Sequence, residues 1–235
     1  YHTNHAPAGV DPAACVRALY YYHSVIREWG DLGYNYVVDG YGNVYQGRAG
    51  GPNTAGAHSG ELDALTQGIA LLGDLSVLEP TAAQQDGTVA LLARLCTANT
   101  LTPTGTVMLL NRSLPVIMGH SDAAAVTCPG SALSDRLPAM RMATLLKMGY
   151  ESPQITLQNP PAGATLRGVV EARPSVTGPV TAVDYLIDGQ LAATVTSAPY
   201  TWLWSTVDLL DGPHTLRAEA RNELGVGSAD VTVLL

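Results

Sequence analysis

The chain has 235 residues, enough for one large domain or two ordinary ones, and 46% of them are hydrophobic against 14% charged, so it can build real cores and is not globally disordered. Its formal net charge is −8, and no stretch gathers Lys and Arg, which argues against a nucleic-acid partner. No run of about 18 uncharged apolar residues occurs, so no membrane span is expected.

The chain opens on Tyr1-His2-Thr3-Asn4-His5, with no initiator Met and no signal-peptide pattern, which predicts a processed or truncated N-terminus. Pro12 to Glu28 reads as a helix, with Asp11 as N-cap, Pro12 at the first helical position, and Val16, Leu19, Tyr20, His23 and Ile26 at spacings of three and four. Tyr34 to Val38 reads as a strand with Tyr34, Tyr36 and Val38 on one face. Tyr41-Gly42 makes a turn and Asn43 to Gln46 returns as the second strand of a hairpin. Gly68 to Leu72, fully apolar, reads as a central strand. Thr81 to Thr97 reads as a helix that opens on a Thr81/Gln84 capping box. Val116 to His120 reads as a strand and Ser134 to Met148 as a last helix. Residues 1–150 therefore read as an α/β domain with a mixed central sheet flanked by helices.

The pattern changes near Tyr150-Glu151-Ser152-Pro153. Beyond it come seven short candidate strands: 155–157, 166–172, 180–187, 192–195, 200–204, 214–220 and 229–234. Turn signals such as Asp188-Gly189 and Asp211-Gly212-Pro213 separate them. Residues 153–235 read as an all-β immunoglobulin-like sandwich, with Trp202 and Trp204 packing its core.

One pair of residues carries chemistry by itself. His120 and Cys128, in Gly119-His120-Ser121-Asp122 … Thr127-Cys128-Pro129-Gly130, could both reach one Zn²⁺, since imidazole and thiolate bind it at about 2.0–2.3 Å. Taken alone, such a pair is more often two ordinary residues of a loop.

The wider series Tyr1-His2-Thr3, Tyr20-Tyr21-Tyr22-His23, Trp29-Gly30-Asp31-Leu32-Gly33-Tyr34-Asn35-Tyr36, Gly47-Arg48, Gly56-Ala57-His58-Ser59-Gly60, Gly119-His120 and Cys128-Pro129-Gly130 stands in one order. Over about residues 1–140 it resembles the zinc-dependent N-acetylmuramoyl-L-alanine amidases of the peptidoglycan recognition protein type. The segment 153–235 resembles bacterial immunoglobulin-like modules of secreted proteins. The first resemblance implies a cut between the lactyl group of N-acetylmuramic acid and the L-alanine of the stem peptide, with one zinc held by two His and one Cys. It puts the second His and the Cys at His120 and Cys128, and the catalytic Tyr at Tyr34. Ala70 stands where related amidases carry a Glu base. Tyr1 stands at the first zinc-ligand position, where the family has His. His2, Thr3, His58 and Asp63 match positions that touch the muropeptide. His23 is either a groove contact or a buried core histidine, and Arg48 is expected in a structural ion pair. Val126 stands where the family often has Thr or Lys, with Thr127 one residue late. The family contains both enzymes and binders, so the alternative is a recognition module that grips muropeptide without cutting. With Cys128 assigned to zinc, Cys15 and Cys96 are either a disulfide or two buried thiols. With a single Lys, at 147, and much Ala, Gly, Thr and Pro, the whole fits a secreted, cell-wall-associated bacterial protein acting as a monomer.

Overall fold

The computed structural model describes residues 11–51 and 53–235, so the expectations for Tyr1, His2 and Thr3 lie outside the described residues. The chain divides into two compact units, with the division in sequence between Met148 and Gly149.

The first unit opens with α1 (Pro12–Tyr21). The Asp11 carboxylate accepts the Ala13 N–H at 3.0 Å, and Pro12 takes a position whose N–H would have no helical partner. The expected helix to Glu28 does not stay regular. Tyr22–Ile26 is a π turn, with the Arg27 N–H reaching the Tyr22 carbonyl at 2.9 Å, and Glu28 then takes a left-handed φ of 57° that ends it.

The sheet joins β1 (Tyr36–Val38), β2 (Val44–Gln46) and β3 (Ile69–Leu71) in the order β2-β1-β3. β1 pairs antiparallel with β2 and parallel with β3, a mixed sheet. Among the described residues the middle strand is β1, not the 68–72 strand. The short β1 also starts two residues later than its sequence suggests, so Tyr34 lies in the bend before it and does not share the Tyr36 face. Tyr34 packs against the cluster of Leu19, Leu32, Val37 and Ala70, whereas Arg94 of the next helix lies over Tyr36.

That helix, α2 (Ala82–Ala98), begins as half of the expected capping box. Thr81 Oγ1 accepts the Gln84 N–H at 3.0 Å, but the Gln84 side chain turns into the interior and donates to the carbonyls of Val38 and Leu72 at 3.1 and 3.0 Å. α1 covers the Val37/Ala70 face of the sheet, while Val89 of α2 packs near Leu71 on the other. Cys15 and Cys96 thus sit on helices with the sheet between them, and they are thiols rather than a disulfide.

A hairpin that the sequence hid follows, β4 (Thr106–Leu109) and β5 (Arg112–Pro115). Its two-residue turn places Leu110 and Asn111 at φ of 48° and 63°, and a leucine there gives no turn signal. The expected strand 116–120 is absent: Val116 adds one ladder bond, to the Gly105 carbonyl, and the chain then turns into α3 (His120–Ala123). The expected helix 134–148 is two pieces, α4 (Ser131–Ser134) and α5 (Leu137–Lys147). Pro138 in the first turn of α5 cannot continue a ladder back to Ser134.

In the second unit all seven expected strands form, as β6 (Gln154–Asn159), β7 (Val169–Thr177), β8 (Ala182–Ile187), β9 (Gln190–Val195), β10 (Trp202–Ser205), β11 (Pro213–Asn222) and β12 (Gly225–Leu234). They make two antiparallel sheets, β10-β7-β6 and β12-β11-β8-β9. Val183, Tyr185, Leu216, Ala218 and Val233 are fully buried between them, with Trp204 beside them. The Trp202 and Trp204 rings stack at 6.2 Å, as core packing requires. Tyr185 carries its hydroxyl inside and donates it to the Tyr200 carbonyl at 2.7 Å.

Candidate functional site

A cavity of about 730 Å³ in the first unit is lined by Tyr34, His58, Asp63, His120 and Cys128, with an apolar wall that includes Leu71, Leu92 and Ile117. Four of these five polar residues lie on irregular backbone, and local contacts explain how each is held.

His120 opens α3. The Gly119 N–H donates to Asp122 Oδ2 at 2.9 Å, and Arg112 of β5 donates to the carbonyls of Asp122 and Ala123 at 3.0 and 2.8 Å, so this single turn is fixed at both ends. The Ser121 N–H donates to the Cys128 carbonyl at 2.8 Å and draws the two candidate zinc donors onto one closed loop. Arg112 is a supporting residue that the sequence reading missed; an Arg near the end of an unseen hairpin carries no signal of its own. Burial pushes the His120 imidazolium pKa down, against an opposing pull from Asp63.

The His58 side chain is well enclosed, only 7% exposed. Its ring rests between two glycines: a Cβ on Gly56 or Gly68 would stand 2.2 or 2.4 Å from His58 Cδ2. Asp63 Oδ1 accepts the N–H groups of His58 and Ser59 at 2.8 and 2.7 Å and so shapes the turn that carries the ring. Burial raises the Asp63 pKa, but these hydrogen bonds outweigh it and hold it below its ordinary value. Burial lowers the His58 pKa, Asp63 opposes, and His120 adds to the lowering. His58 Nε2 is buried without a hydrogen-bond partner among the described residues. The Tyr34 ring lies nearly parallel to it, 6.4 Å away at 13°.

Other expected site residues are not brought together with these. His23 is 1% exposed and does not line the cavity; it is a core histidine. Thr127 and Val126 are exposed and also lie off the cavity wall. Among the described residues Arg48 makes no ion pair; its guanidinium donates to the carbonyls of Leu32 and Trp29 at 3.2 and 3.4 Å. Cys96 lines the apolar part of the cavity, and burial raises its thiol pKa. Among the described residues no three His, Cys, Asp or Glu side chains are grouped to hold a metal ion. The third expected ligand, Tyr1, is outside them.

The family model described as N-acetylmuramoyl-L-alanine amidase matches residues 2–131, and that described as bacterial Ig domain matches residues 153–218. The chain is similar to peptidoglycan-recognition protein SC2 of Drosophila melanogaster, 31% identical over 122 residues, 51% of this chain and 60% of that protein. It is similar to the N-acetylmuramoyl-L-alanine amidase of Homo sapiens, 33% identical over 126 residues, 53% of this chain and 20% of that protein. Peptidoglycan recognition protein 1 of Bos taurus is 35% identical over 126 residues, covering 52% of this chain and 60% of that protein. The chain thus spans less than two thirds of the length of these curated relatives. Among solved structures, Drosophila PGRP-LB matches with a TM-score of 0.50 and 25% identity, over 59% of this chain and 75% of that one.

Proposed function

The chain belongs to the N-acetylmuramoyl-L-alanine amidase family, and we propose that it hydrolyses the amide bond between N-acetylmuramic acid and the L-alanine of the stem peptide, with zinc as cofactor. The observation that supports this reading is the shared lining of one cavity: a phenol, a buried imidazole acceptor and two zinc-type donors.

The donor set fits zinc in kind, since an imidazole and a thiolate are its commonest protein ligands. His120 and Cys128 would hold the ion, and Tyr1, at the family's first ligand position, would complete the set. Zinc bound there would supply Lewis-acid polarisation of the scissile carbonyl and a water of lowered pKa. The chain's own groups do the rest. Tyr34 donates its hydroxyl to the oxyanion that develops on that carbonyl. His58 Nε2 accepts an N–H of the stem peptide, and Asp63 holds the His58 turn in place. His2 and Thr3 take further contacts to the muropeptide. The protein works outside the cell, secreted and associated with the bacterial wall, as a monomer whose second unit is an attachment module.

A second reading, recognition without cleavage, is supported by Tyr1 at the first ligand position and Val126 before Cys128. The test is incubation of the zinc-loaded full chain with a defined muropeptide, read as free stem peptide by mass. Release is expected, and Tyr34→Phe should lower turnover by about 10²–10³ with binding kept, because one oxyanion donor contributes that much. Tight binding with no release establishes the recognition reading, and no binding overturns both.

A further inference from the structure

We propose that His23 is the positioning residue of Tyr34, fixing the phenol through the backbone of Gly33. The proposal rests on the catalytic reading of Tyr34 given above. It starts from an anomaly: a histidine that is 1% exposed lies off the cavity wall, and burying an imidazole requires a compensating contact.

That contact is with the chain leading to Tyr34. His23 Nδ1 accepts the Gly33 N–H at 3.0 Å in the interior, so Nδ1 carries no proton. Burial, and then the charge of Arg27, push the His23 pKa down and keep that nitrogen an acceptor. The other side of the same residue is held too: the Gly33 carbonyl accepts the Ala57 N–H at 2.8 Å. The Tyr34 carbonyl accepts the Arg48 N–H at 2.8 Å. A Cβ at position 33 would meet the Ala57 carbonyl oxygen at 2.6 Å, so the two strands of chain pass as closely as glycine allows. Tyr34 precedes β1, so these contacts rather than the sheet set its direction. Its ring centroid lies 5.7 Å from that of His23 and 6.4 Å from that of His58.

The π turn fits this arrangement. Its widened ladder runs from the Arg27 N–H to the Tyr22 carbonyl and is followed by the Trp29 N–H on the His23 carbonyl at 3.0 Å. The Trp29 ring closes over His23 with centroids 4.7 Å apart. π turns are uncommon and are found frequently at functional sites. Here the side chain presented is an acceptor for one specific amide.

The experiment compares His23→Leu and His23→Asn in the zinc-loaded full chain, alone and combined with Tyr34→Phe. Leu fills similar space without an acceptor, whereas Asn Oδ1 can accept where Nδ1 did. His23→Leu should lower kcat by about tenfold or more with KM little changed, since small displacements of a catalytic group cost this much. His23→Asn should restore most of it. In the Tyr34→Phe background His23→Leu should add less than about threefold, because the two changes act through one group. A readout independent of turnover is the hydrogen exchange of the Gly33 amide and the NMR shift of the labelled Tyr34 ring. His23→Leu should speed the first and move the second, and His23→Asn should reverse both. A parent protein that releases no stem peptide refutes the amidase reading, and the NMR outcome then decides the positioning role by itself. Should His23→Leu not fold, His23→Asn must keep Gly33 protected. An unprotected Gly33 in folded His23→Asn, an unchanged one in His23→Leu, or full additivity with Tyr34→Phe overturns the proposal.

Discussion

Of the polar or charged side chains buried among the described residues, His23, Asn35, Asp39, Gln84, Thr88 and Thr144 belong to the first unit and only Thr206 to the second. The apolar clusters run the other way. In the sandwich one cluster takes in residues from Ile155 to Leu235, whereas the described residues of the first unit form two small ones, around Leu19/Val37 and around Leu133/Met140. The cause is how each unit satisfies its backbone. Long ladders such as β11 with β12 pair their N–H and C=O groups internally and leave side chains free to be apolar. Strands of three residues cannot, so the first unit fills the gaps with side chains: Asp39 takes the N–H groups of Tyr41 and Asn43, and Gln84 takes two carbonyls. The irregular backbone this permits is where the cavity lies. The unit that is poorer in apolar packing is the one that carries the cavity.

Three measurements sharpen or break this contrast. The largest effect belongs to the apolar side: Leu216→Ala, at a fully buried position, should destabilise the sandwich by about 3 kcal/mol through lost transfer energy and a cavity. Peptide-resolved hydrogen exchange in denaturant reads the two units separately, and a loss below about 1 kcal/mol would deny the sandwich its single packed core. Next, Gln84→Leu should cost the first unit about 2 kcal/mol, because it keeps the bulk while the Leu72 carbonyl loses its side-chain donor and the Val38 carbonyl keeps only the Leu72 N–H. A neutral result would mean that buried polar groups do not hold this unit together.

The smallest effect is one of sign. In the metal-free protein His23 and His58 have folded pKa values lowered by burial, so the unfolded chain binds more protons and the first unit loses stability as pH falls through about 6.5. His214 in the sandwich is the reverse. Its Nε2 reaches the Leu210 carbonyl at 2.8 Å and its Nδ1 reaches Asp188 at 2.6 Å, two acceptors that call for the doubly protonated ring and raise its pKa. Its contribution is full below about 6.5 and is lost as pH rises through the raised value. Between pH 5.5 and 8, on the order of one to two units either side of the histidine reference, the two units should shift in opposite directions. His214→Gln should flatten the sandwich's response, and parallel shifts in both units would refute the assignment.

The sandwich was nearly all legible in advance because β alternation is a property of neighbours two residues apart, and turn residues such as Asp188-Gly189 mark where each run stops. In the first unit the legible parts were also local ones, the Asp11 and Thr81 caps and the β1–β2 hairpin, whereas Tyr34, His58, His120 and Cys128, which line one cavity, were singled out by a resemblance spread along the chain. What misled was the same local logic applied where tertiary contacts prevail. The 116–120 run has strand-like residues, yet Arg141 takes the Ile117 carbonyl and Asp122 takes the Gly119 N–H, so its hydrogen bonds go to side chains rather than to a neighbouring strand.

The amino-acid sequence by itself determined two folding patterns and which side chains could meet in a site, since periodicity, capping and turn chemistry are decided within a few residues. Only the tertiary structure decided which of them do meet. It put His23 behind Tyr34 rather than in the cavity, through a hydrogen bond ten residues along the chain. It turned Arg48 from an ion pair to two carbonyls, and set Cys15 and Cys96 on helices with a sheet between them. Those outcomes depend on buried polar groups finding partners distant in sequence, and no local pattern records where such a partner will be.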